Sequence, residues 1–428
     1  MTPDIFGLSP VYENSQGERG SDPRRLTRAN TIDEAALAGY LLFSHVPTPK
    51  TIYTDVKRVM PPVPVSFSAS DNGGTDVLTL LRRAVQKRLP KENSPVGVYL
   101  SGGLDSSLIA ALLVEAGVKV IGFTLDFGVP KDGELAFAEQ VASHLKIPLR
   151  RVLCGPKEVA RAWEPTMSAL PQPYGDAVTV PLYLLGLVAR QEVSIVFNGE
   201  GGDQLFGGWV NKPLVAAIAY GEQNLYTSYR TTYHRFDGRL SSLWPTHPPL
   251  SVEDWLAVGL EVTPEAPLIH RLRAANIALK GAQNIAPRCV ALGSCHGLRI
   301  EAPFFDEALT EYTFQLPPEA FLSGACEKAI LKEAGRSLLP DEILYREKRG
   351  MGVPSADWCL PRFGPVGRRV RSLLGSRRIK RERRFDPAFI KGLLAGYDPT
   401  PAGFRRRRVG EKLWTLATWE LWRDVHAL

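Results

Sequence analysis

A seven-residue segment, Ser101-Gly-Gly-Leu-Asp-Ser-Ser107, constrains the fold of this 428-residue chain more than any other feature. It follows the apolar run Val96–Leu100, typical of a buried strand, and precedes an apolar helical pattern over residues 106–116. Paired glycines let the backbone turn sharply and present N–H groups to an anion, and the next helix points its positive end there. Asp105 would repel a phosphate unless a cation lay between them. The segment therefore predicts a pyrophosphate site with Mg²⁺, and an ordinary strand-to-helix turn is the alternative.

Apolar runs and helical patterns alternate on both sides of this segment. Strands separated by helices of this length imply right-handed crossovers and a parallel sheet. The sequence therefore predicts an α/β fold, with a parallel sheet flanked by helices and a mostly helical C-terminal part from about residue 209. The predicted strands are 96–100, 118–125, 149–153 and 193–198, and the helices are 106–116, 133–145, 157–168 and 178–190.

A second glycine-rich loop, Asn198-Gly-Glu-Gly-Gly-Asp203, follows the last of these strands. Ligands of such sheets bind beyond the carboxyl ends of the strands, so both loops should meet at one edge. Asp105 and Asp203 could then hold one Mg²⁺ jointly, while Glu200 offers a proton acceptor. A glycine-rich surface turn is the alternative. Neither loop has the spacing of the Walker or dinucleotide fingerprints.

A third element, Tyr345–Pro354, places Lys348 beside glycine-rich backbone. A lysine in that setting suits charge stabilisation at a developing phosphoanhydride or oxyanion. Taken alone, the same residues also describe a basic surface run.

The remaining chain divides into predicted segments by composition. Residues 1–30 are polar and rich in glycine and charge, which predicts a disordered tail. Residues 31–75 predict a linker or remnant segment, including a helix with Thr31 as its N-cap. Residues 76–428 form the main predicted domain. Within it, the Arg-rich region 361–412 could meet an acidic peptide or a partner protein, or could be a solvated face.

Several classes of protein are excluded by composition. No apolar run is long enough to span a membrane, and the N-terminus lacks a signal-peptide pattern, so we expect a cytoplasmic protein. The five cysteines are scattered without a C-x-x-C pair, which indicates neither zinc nor a disulfide framework. Despite a net charge of +7, the basic region lacks the aromatic residues that RNA binding would need, so nucleic acid is not expected.

Taken in order, the motifs resemble those of the asparagine synthetase group, in particular its C-terminal ATP-pyrophosphatase domain. That domain has the adenine-nucleotide α-hydrolase-like, or PP-loop, fold. The resemblance covers roughly Thr31 to Leu428, and several motifs in sequence make it more specific than one loop. The matching segments are Ser101–Ser107, Asn198–Asp203, Phe206–Gly208, Ala302–Asp306, Glu327-Lys328, Leu339–Asp341 and Arg346–Pro354.

The resemblance implies a role for each matched site residue. The residues implied to hold the ATP phosphates are Ser101, Gly102, Gly103, Ser106 and Ser107. Asp105 and Asp203 would bind Mg²⁺. The residues implied to surround adenosine are Leu100 and Leu125 on its flanks, with Asn198 and Gly199 near the adenine. Glu200 would lie by the carboxylate and amine, and Lys348 would stabilise the adenylation transition state.

The implied enzyme is a ligase that activates a substrate carboxylate as an acyl-AMP, releases pyrophosphate and accepts a nitrogen nucleophile. The carboxylate could be aspartate, an aspartate-like molecule or a peptide. Complete asparagine synthetases begin with a glutaminase domain whose nucleophile is the cysteine after the initiator methionine, but here position 2 is Thr2. We therefore expect nitrogen from ammonia, a substrate amine or a separate glutaminase subunit.

Two further interpretations stay open at this point. One is a peptide macrocyclase or a tailoring ligase similar to β-lactam synthetases, acting on a precursor peptide. The other belongs to a different class: a catalytically silent subunit that retains only the nucleotide fold.

Overall fold

The Ser101–Ser107 segment follows the central strand of a five-stranded parallel sheet in the computed structural model of the chain. The structure describes residues 2–60, 76–92, 94–128, 134–208, 221, 224–227, 229, 236, 238–261, 265–324, 326–346, 351–375, 377–398 and 402–428. Three groups of strands lie within these ranges. Their bounds are β1 Tyr12–Asn14, β2 Arg19–Gly20, β3 Val56–Arg58, β4 Val96–Tyr99, β5 Val120–Asp126, β6 Leu149–Leu153, β7 Ile195–Phe197, β8 Arg299–Glu301, β9 Leu322–Ser323 and β10 Cys326–Glu327.

Helices make up most of the remaining described structure. The α-helices are α1 Glu34–Phe43, α2 Val77–Gln86, α3 Leu104–Glu115, α4 Glu134–Leu145, α5 Pro156–Ala169, α6 Thr179–Ala189, α7 Gly202–Phe206, α8 Leu240–Leu243, α9 Val252–Leu260, α10 Leu268–Ala275, α11 Ala286–Ser294, α12 Glu307–Gln315, α13 Ala329–Gly335, α14 Asp341–Leu344, α15 Ser355–Cys359, α16 Pro365–Leu374, α17 Arg377–Glu382, α18 Pro387–Leu394 and α19 Ala402–Val425. A π-helix covers Asn276–Ile285, and two 3₁₀ turns cover Pro23–Arg25 and Pro318–Ala320. No helix within the described ranges is long and apolar enough to cross a membrane.

The five parallel strands lie in the order β6-β5-β4-β7-β8, which confirms the predicted parallel sheet flanked by helices. The chain runs outward from β4 through β5 to β6, and then returns to the other side of β4 to form β7. A reversal of this kind opens a crevice between the two central strands at their carboxyl ends. Both predicted glycine-rich loops follow these strands, so the topology brings the loops together.

The sheet packs apolar side chains on both faces, with the alternation expected of strands. Val98 of β4 and Phe197 of β7 face α3, whereas Val196 points to the opposite face. That opposite face is closed by α5, α6 and α19. Trp163 and Trp414 stack there with ring centroids 4.3 Å apart and an interplanar angle of 2°. The C-terminal helix therefore belongs to the core of the domain.

The N-terminal segment differs from the prediction made for it. The sequence predicted a disordered tail over residues 1–30, whereas residues 2–30 of the structure carry β1 and β2 and bury Phe6 and Tyr12. Strand β1 also pairs with β3, and Phe6 stacks on Phe305 at 5.1 Å. Burial of these aromatic rings offsets the polar composition that suggested disorder. The other domain boundaries remain predictions.

Strand β3 links this N-terminal segment to the π-helix. The buried guanidinium of Arg58 donates hydrogen bonds to the carbonyl oxygens of Ala282, at 2.6 Å, and Gln283, at 3.4 Å. The Gln283 side chain in turn accepts from the backbone N–H of Thr48 at 2.9 Å. Long π-helices are rare and often occur at functional sites. Residues 2–60 therefore support a distorted helix that, as described below, borders the candidate site.

A fully buried guanidinium also anchors α7. Arg273 donates from Nε to the carbonyl oxygen of Leu205 at 2.6 Å, and from its other nitrogens to Thr313 and to Nδ1 of His270 at 2.7 Å. The rings of Phe314 and Phe321 lie against the Arg273 guanidinium. Because Arg273 must donate to Nδ1, the neutral His270 carries its proton on Nε2 and donates to the Leu316 carbonyl.

The contact between α19 and α15 gives a first prediction. A Cβ added at Gly410 would lie 2.4 Å from Cα of Ala356, so Gly410→Ala must push the two helices apart. We expect a loss of about 1–3 kcal/mol in the free energy of unfolding, measured by urea denaturation. Gly392→Ala in α18 is the matched control, since its Cβ would meet only Tyr397 at 3.8 Å. The control should be neutral or slightly stabilising, and an equal loss in both variants would contradict the packing argument.

The buried imidazole gives a second prediction. Burial, reinforced by the Arg273 charge, lowers the pKa of His270 to about 4. The folded pKa lies below the unfolded value, so the contribution of His270 is fully present above about pH 6.5 and is lost as the pH falls towards 4. The loss should approach about 3 kcal/mol. Unfolding free energies measured from pH 7 to 4 should fall less steeply for His270→Gln than for the wild type. Parallel curves would show that His270 does not cause the loss.

Candidate active site

A cavity of about 780 Å³ opens at the carboxyl ends of the central strands. That volume lies within the range of small-molecule sites. The structure brings together most of the predicted site residues on its wall: Leu100, Ser101, Gly103, Asp105, Ser106, Leu125, Asn198, Gly199, Glu200 and Asp203. Gly102 and Ser107 lie in the same loop but outside the lining. Lys348 lies outside the described residues.

The Ser101–Ser107 loop is shaped by its first glycine and its serines. Gly102 has φ +68°, and a Cβ there would lie 2.4 Å from the carbonyl carbon of Phe137, so only glycine fits. The Ser106 hydroxyl accepts from the N–H of Ser101 at 3.2 Å and donates to the Gly103 carbonyl. These bonds hold the loop at the N-terminus of α3, where unpaired backbone N–H groups favour an anion.

The two glycine-rich loops touch each other, and glycine makes the contact possible. A Cβ at Gly199 would lie 2.7 Å from the backbone nitrogen of Ser106. A Cβ at Gly202 would lie 2.5 Å from Cγ of Asp105. Real Cβ atoms do not approach other atoms so closely, so a side chain at either position would separate the loops. The second loop is closed by Asn198, whose side-chain oxygen accepts from the N–H of Glu200 at 3.1 Å.

Asp105 and Asp203 converge on one cation, the ammonium of Lys328. Its Nζ lies 2.7 and 2.6 Å from the two carboxylate oxygens of Asp105 and 2.6 Å from Oδ1 of Asp203. Burial alone would lower the pKa of Lys328, but the charges of Asp105 and Asp203 outweigh it and raise the pKa, so the ammonium stays charged. The geometry shows that the two predicted carboxylates can share one positive charge.

This donor set suits Mg²⁺ held in part by a nucleotide. Within the ranges that the structure describes, no cluster of three or more His, Cys, Asp or Glu could hold a metal ion. Two carboxylates are nevertheless the usual protein contribution where Mg²⁺ takes its other ligands from phosphates and water. Asp105 and Asp203 therefore fit the metal that the resemblance implies.

A second group of polar side chains also lines the cavity. The buried Arg288 pairs with Asp176 at 2.9 Å, and Asn284 donates to the same Asp176 oxygen at 2.8 Å. Burial raises the pKa of Glu200, an effect that the positive charge of Arg288 opposes. Lys280, from the π-helix, lines this wall as well. The site thus combines a carboxyl group suited to accept a proton with cations suited to bind a carboxylate.

Sequence reasoning assigned no role to several residues of this wall. Glu327-Lys328 and Arg346 were part of matching segments, yet nothing in their spacing indicated contact with the loops. Lys280 and Arg288 stand on helical stretches, and Asp176 lies in the segment that precedes α6. Their only signal in the sequence was a charge among apolar residues. Arg346 lines the cavity and its guanidinium stacks 4.1 Å from the Phe137 ring centroid.

Comparison with known proteins agrees with the motifs. The asparagine synthase family model matches residues 76–424. Asparagine synthetase [glutamine-hydrolyzing] 1 of Bacillus subtilis is 23% identical over 483 residues, covering 99% of this chain and 74% of that protein. The asparagine synthetase [glutamine-hydrolyzing] of Homo sapiens is 26% identical over 310 residues, covering 69% and 45%.

Two solved structures share part of the chain. NMN synthetase from Francisella tularensis is 19% identical over 31% of this chain and 55% of its own, with a TM-score of 0.23. The NH3-dependent NAD synthetase of Campylobacter jejuni is 16% identical over 39% and 83%, with a TM-score of 0.24. These TM-scores are too low to support a conclusion. The family match over residues 76–424, together with the two loops at the head of the sheet, shows that the chain belongs to the asparagine synthase family of ATP-dependent carbon–nitrogen ligases.

Proposed function

We propose that the chain activates a substrate carboxylate as an acyl-AMP, releases pyrophosphate, and transfers the acyl group to ammonia or an amine. The observation that carries this proposal is the meeting of the two loops at one edge of the sheet. There, Asp105 and Asp203 share one positive charge within the cavity that Glu200 lines. The family match supports the same class of chemistry.

In the first step, a carboxylate oxygen of the substrate attacks the α-phosphorus of ATP and the bond to the bridging oxygen breaks, releasing pyrophosphate. The N–H groups of the Ser101–Ser107 loop would bind the departing phosphates. Leu100 and Leu125 would flank the adenosine, with Asn198 and Gly199 near the adenine. Lys348, by its resemblance to the family lysine, would stabilise the negative charge that develops.

In the second step, the nitrogen nucleophile attacks the acyl carbon, AMP leaves, and the nitrogen loses a proton. Splitting the amidation in two replaces a poor leaving group by a good one. We assign the proton to Glu200, because a carboxyl group with a raised pKa is a stronger base than an exposed one. Mg²⁺ held by Asp105 and Asp203 would supply charge neutralisation for the phosphates.

The identity of both substrates is part of the proposal. Asp176, Arg288 and Lys280 form a wall of mixed charge, which suits a carboxylate that also carries an amine, such as aspartate or an aspartate-like residue of a peptide. Ammonia, an amine or a separate glutaminase subunit would supply the nitrogen. We place this reaction in the cytoplasm, in keeping with the sequence expectation.

ATP–pyrophosphate exchange tests the first step. A panel of carboxylates, with aspartate and acidic peptides among them, should contain at least one that supports exchange. Asp105→Asn should lower exchange by about 100-fold or more, since it removes a carboxylate that would bind the metal and thereby neutralise the phosphates. Asp126→Asn is the matched control, because Asp126 ends β5 but pairs with Arg151 outside the cavity. ATP binding without pyrophosphate release for every carboxylate would overturn the proposal in favour of a silent nucleotide-binding subunit.

Glu200→Gln tests the second step. Exchange should stay within about tenfold of the wild type, whereas amide formation from ammonia should fall by roughly 10²- to 10⁴-fold. Hydroxylamine should restore part of the product, because it needs less help to lose its proton. Product is measured as amide or hydroxamate under saturating ATP. Equal losses in exchange and amide formation would show that Glu200 acts in binding or adenylation instead.

A further inference from the structure

Lys328 occupies the carboxylate oxygens that a divalent cation would use. Its ammonium contacts both oxygens of Asp105 and one of Asp203, and its side chain is only 3% exposed. An ammonium has three N–H donors, and these three contacts account for all of them. The lysine is therefore a full ligand of the pair and not a distant neighbour.

A metal ion and this ammonium cannot share the same oxygens. Mg²⁺ binds carboxylate oxygens at about 2.1 Å and would stand within a few ångströms of Nζ. In a buried site such like-charge repulsion is poorly screened. A cation bound by Asp105 and Asp203 therefore requires Lys328 to withdraw from at least one of them.

The backbone of Lys328 is held in a conformation that lysine rarely adopts. Its φ is +55° and its ψ is +35°, at the N-cap of α13 directly after β10. A left-handed backbone is unfavourable for a residue with a Cβ and persists where the surroundings determine it. Here it follows Glu327, itself buried, and aims the lysine at the two carboxylates. The left-handed backbone of Lys328 thus places its ammonium at the carboxylates of Asp105 and Asp203.

Phosphates bound in the same cavity would offer the withdrawn Lys328 ammonium another anionic partner. Nζ of Lys328 contacts Asp105, which belongs to the Ser101–Ser107 loop, so phosphates bound at that loop would lie near Nζ. Lys332 and Arg346 also line the cavity and would add to its positive field.

We propose that Lys328 is a resident counter-cation that yields Asp105 and Asp203 to a divalent metal only when nucleotide phosphates receive its ammonium. Metal and nucleotide then bind as one cooperative unit, and free metal alone binds weakly. The inference rests on the proposed function only for the identity of the phosphate that accepts the ammonium. The competition between lysine and metal stands on the geometry.

Mn²⁺ binding, followed by electron paramagnetic resonance without nucleotide, tests the competition. Lys328→Gln should bind Mn²⁺ about tenfold or more tightly than the wild type, because the competing charge is gone. Lys328→Arg keeps the charge and should stay weak. Lys391→Gln is the control: it removes an exposed ammonium from α18, outside the cavity lining, and should leave Mn²⁺ affinity unchanged. Adding Asp105→Asn to Lys328→Gln should abolish the gain.

The Mn²⁺-binding measurements can contradict the inference in several ways. Equal or weaker Mn²⁺ binding by Lys328→Gln, or a gain that survives Asp105→Asn, overturns the inference. If that variant does not fold, the wild type still decides: a non-hydrolysable ATP analogue should raise its Mn²⁺ affinity by about tenfold or more, and no change would refute cooperative entry. The Mn²⁺-binding assays need no carboxylate substrate, so they can be interpreted even if no ATP–pyrophosphate exchange is found. If the protein catalyses ATP–pyrophosphate exchange but Lys328→Gln does not change its Mn²⁺ affinity, the inference is wrong and the proposed function stands.

Discussion

The close contact between two glycine-rich loops is the constraint on which the rest of the site depends. Gly199 and Gly202 bring the second loop against Ser106 and Asp105 of the first, at distances that no side chain would allow. Because the loops follow neighbouring strands of the parallel sheet, the spacing of these strands sets the distance between the loops. The contact between the loops thereby sets the positions of the charged groups in the cavity.

Two buried cations lie in the cavity around this contact, and each is held by aspartate carboxylates. Lys328 is neutralised by two carboxylates, and Arg288 by Asp176 with support from Asn284. Burying a charge is unfavourable unless hydrogen bonds and opposite charge compensate. These groups are therefore poor choices for stability alone, and their arrangement is better explained by a site that must receive a polyanion and a carboxylate.

Local patterns in the sequence predicted the central strands and both loops, because apolar alternation and paired glycines act over a few residues. What depends on distant partners was not predicted. Strand β8 is a short polar edge strand without such alternation, and Lys328 meets carboxylates far away in sequence. The first helix shows the same limit: the Thr31 hydroxyl is paired with that of Thr54 at 2.7 Å, so Asp33 is the N-cap in its place.

The bond from Arg58 to the Ala282 carbonyl has a consequence for protein engineering. It joins the N-terminal segment to the π-helix that contributes Lys280 to the cavity wall. Residues 2–60 and this wall are thus one structural unit, although more than two hundred positions separate them. A chimera that exchanges the N-terminal segment with that of a relative should exchange the π-helix with it, since either half alone would leave its partner's polar groups buried without a match.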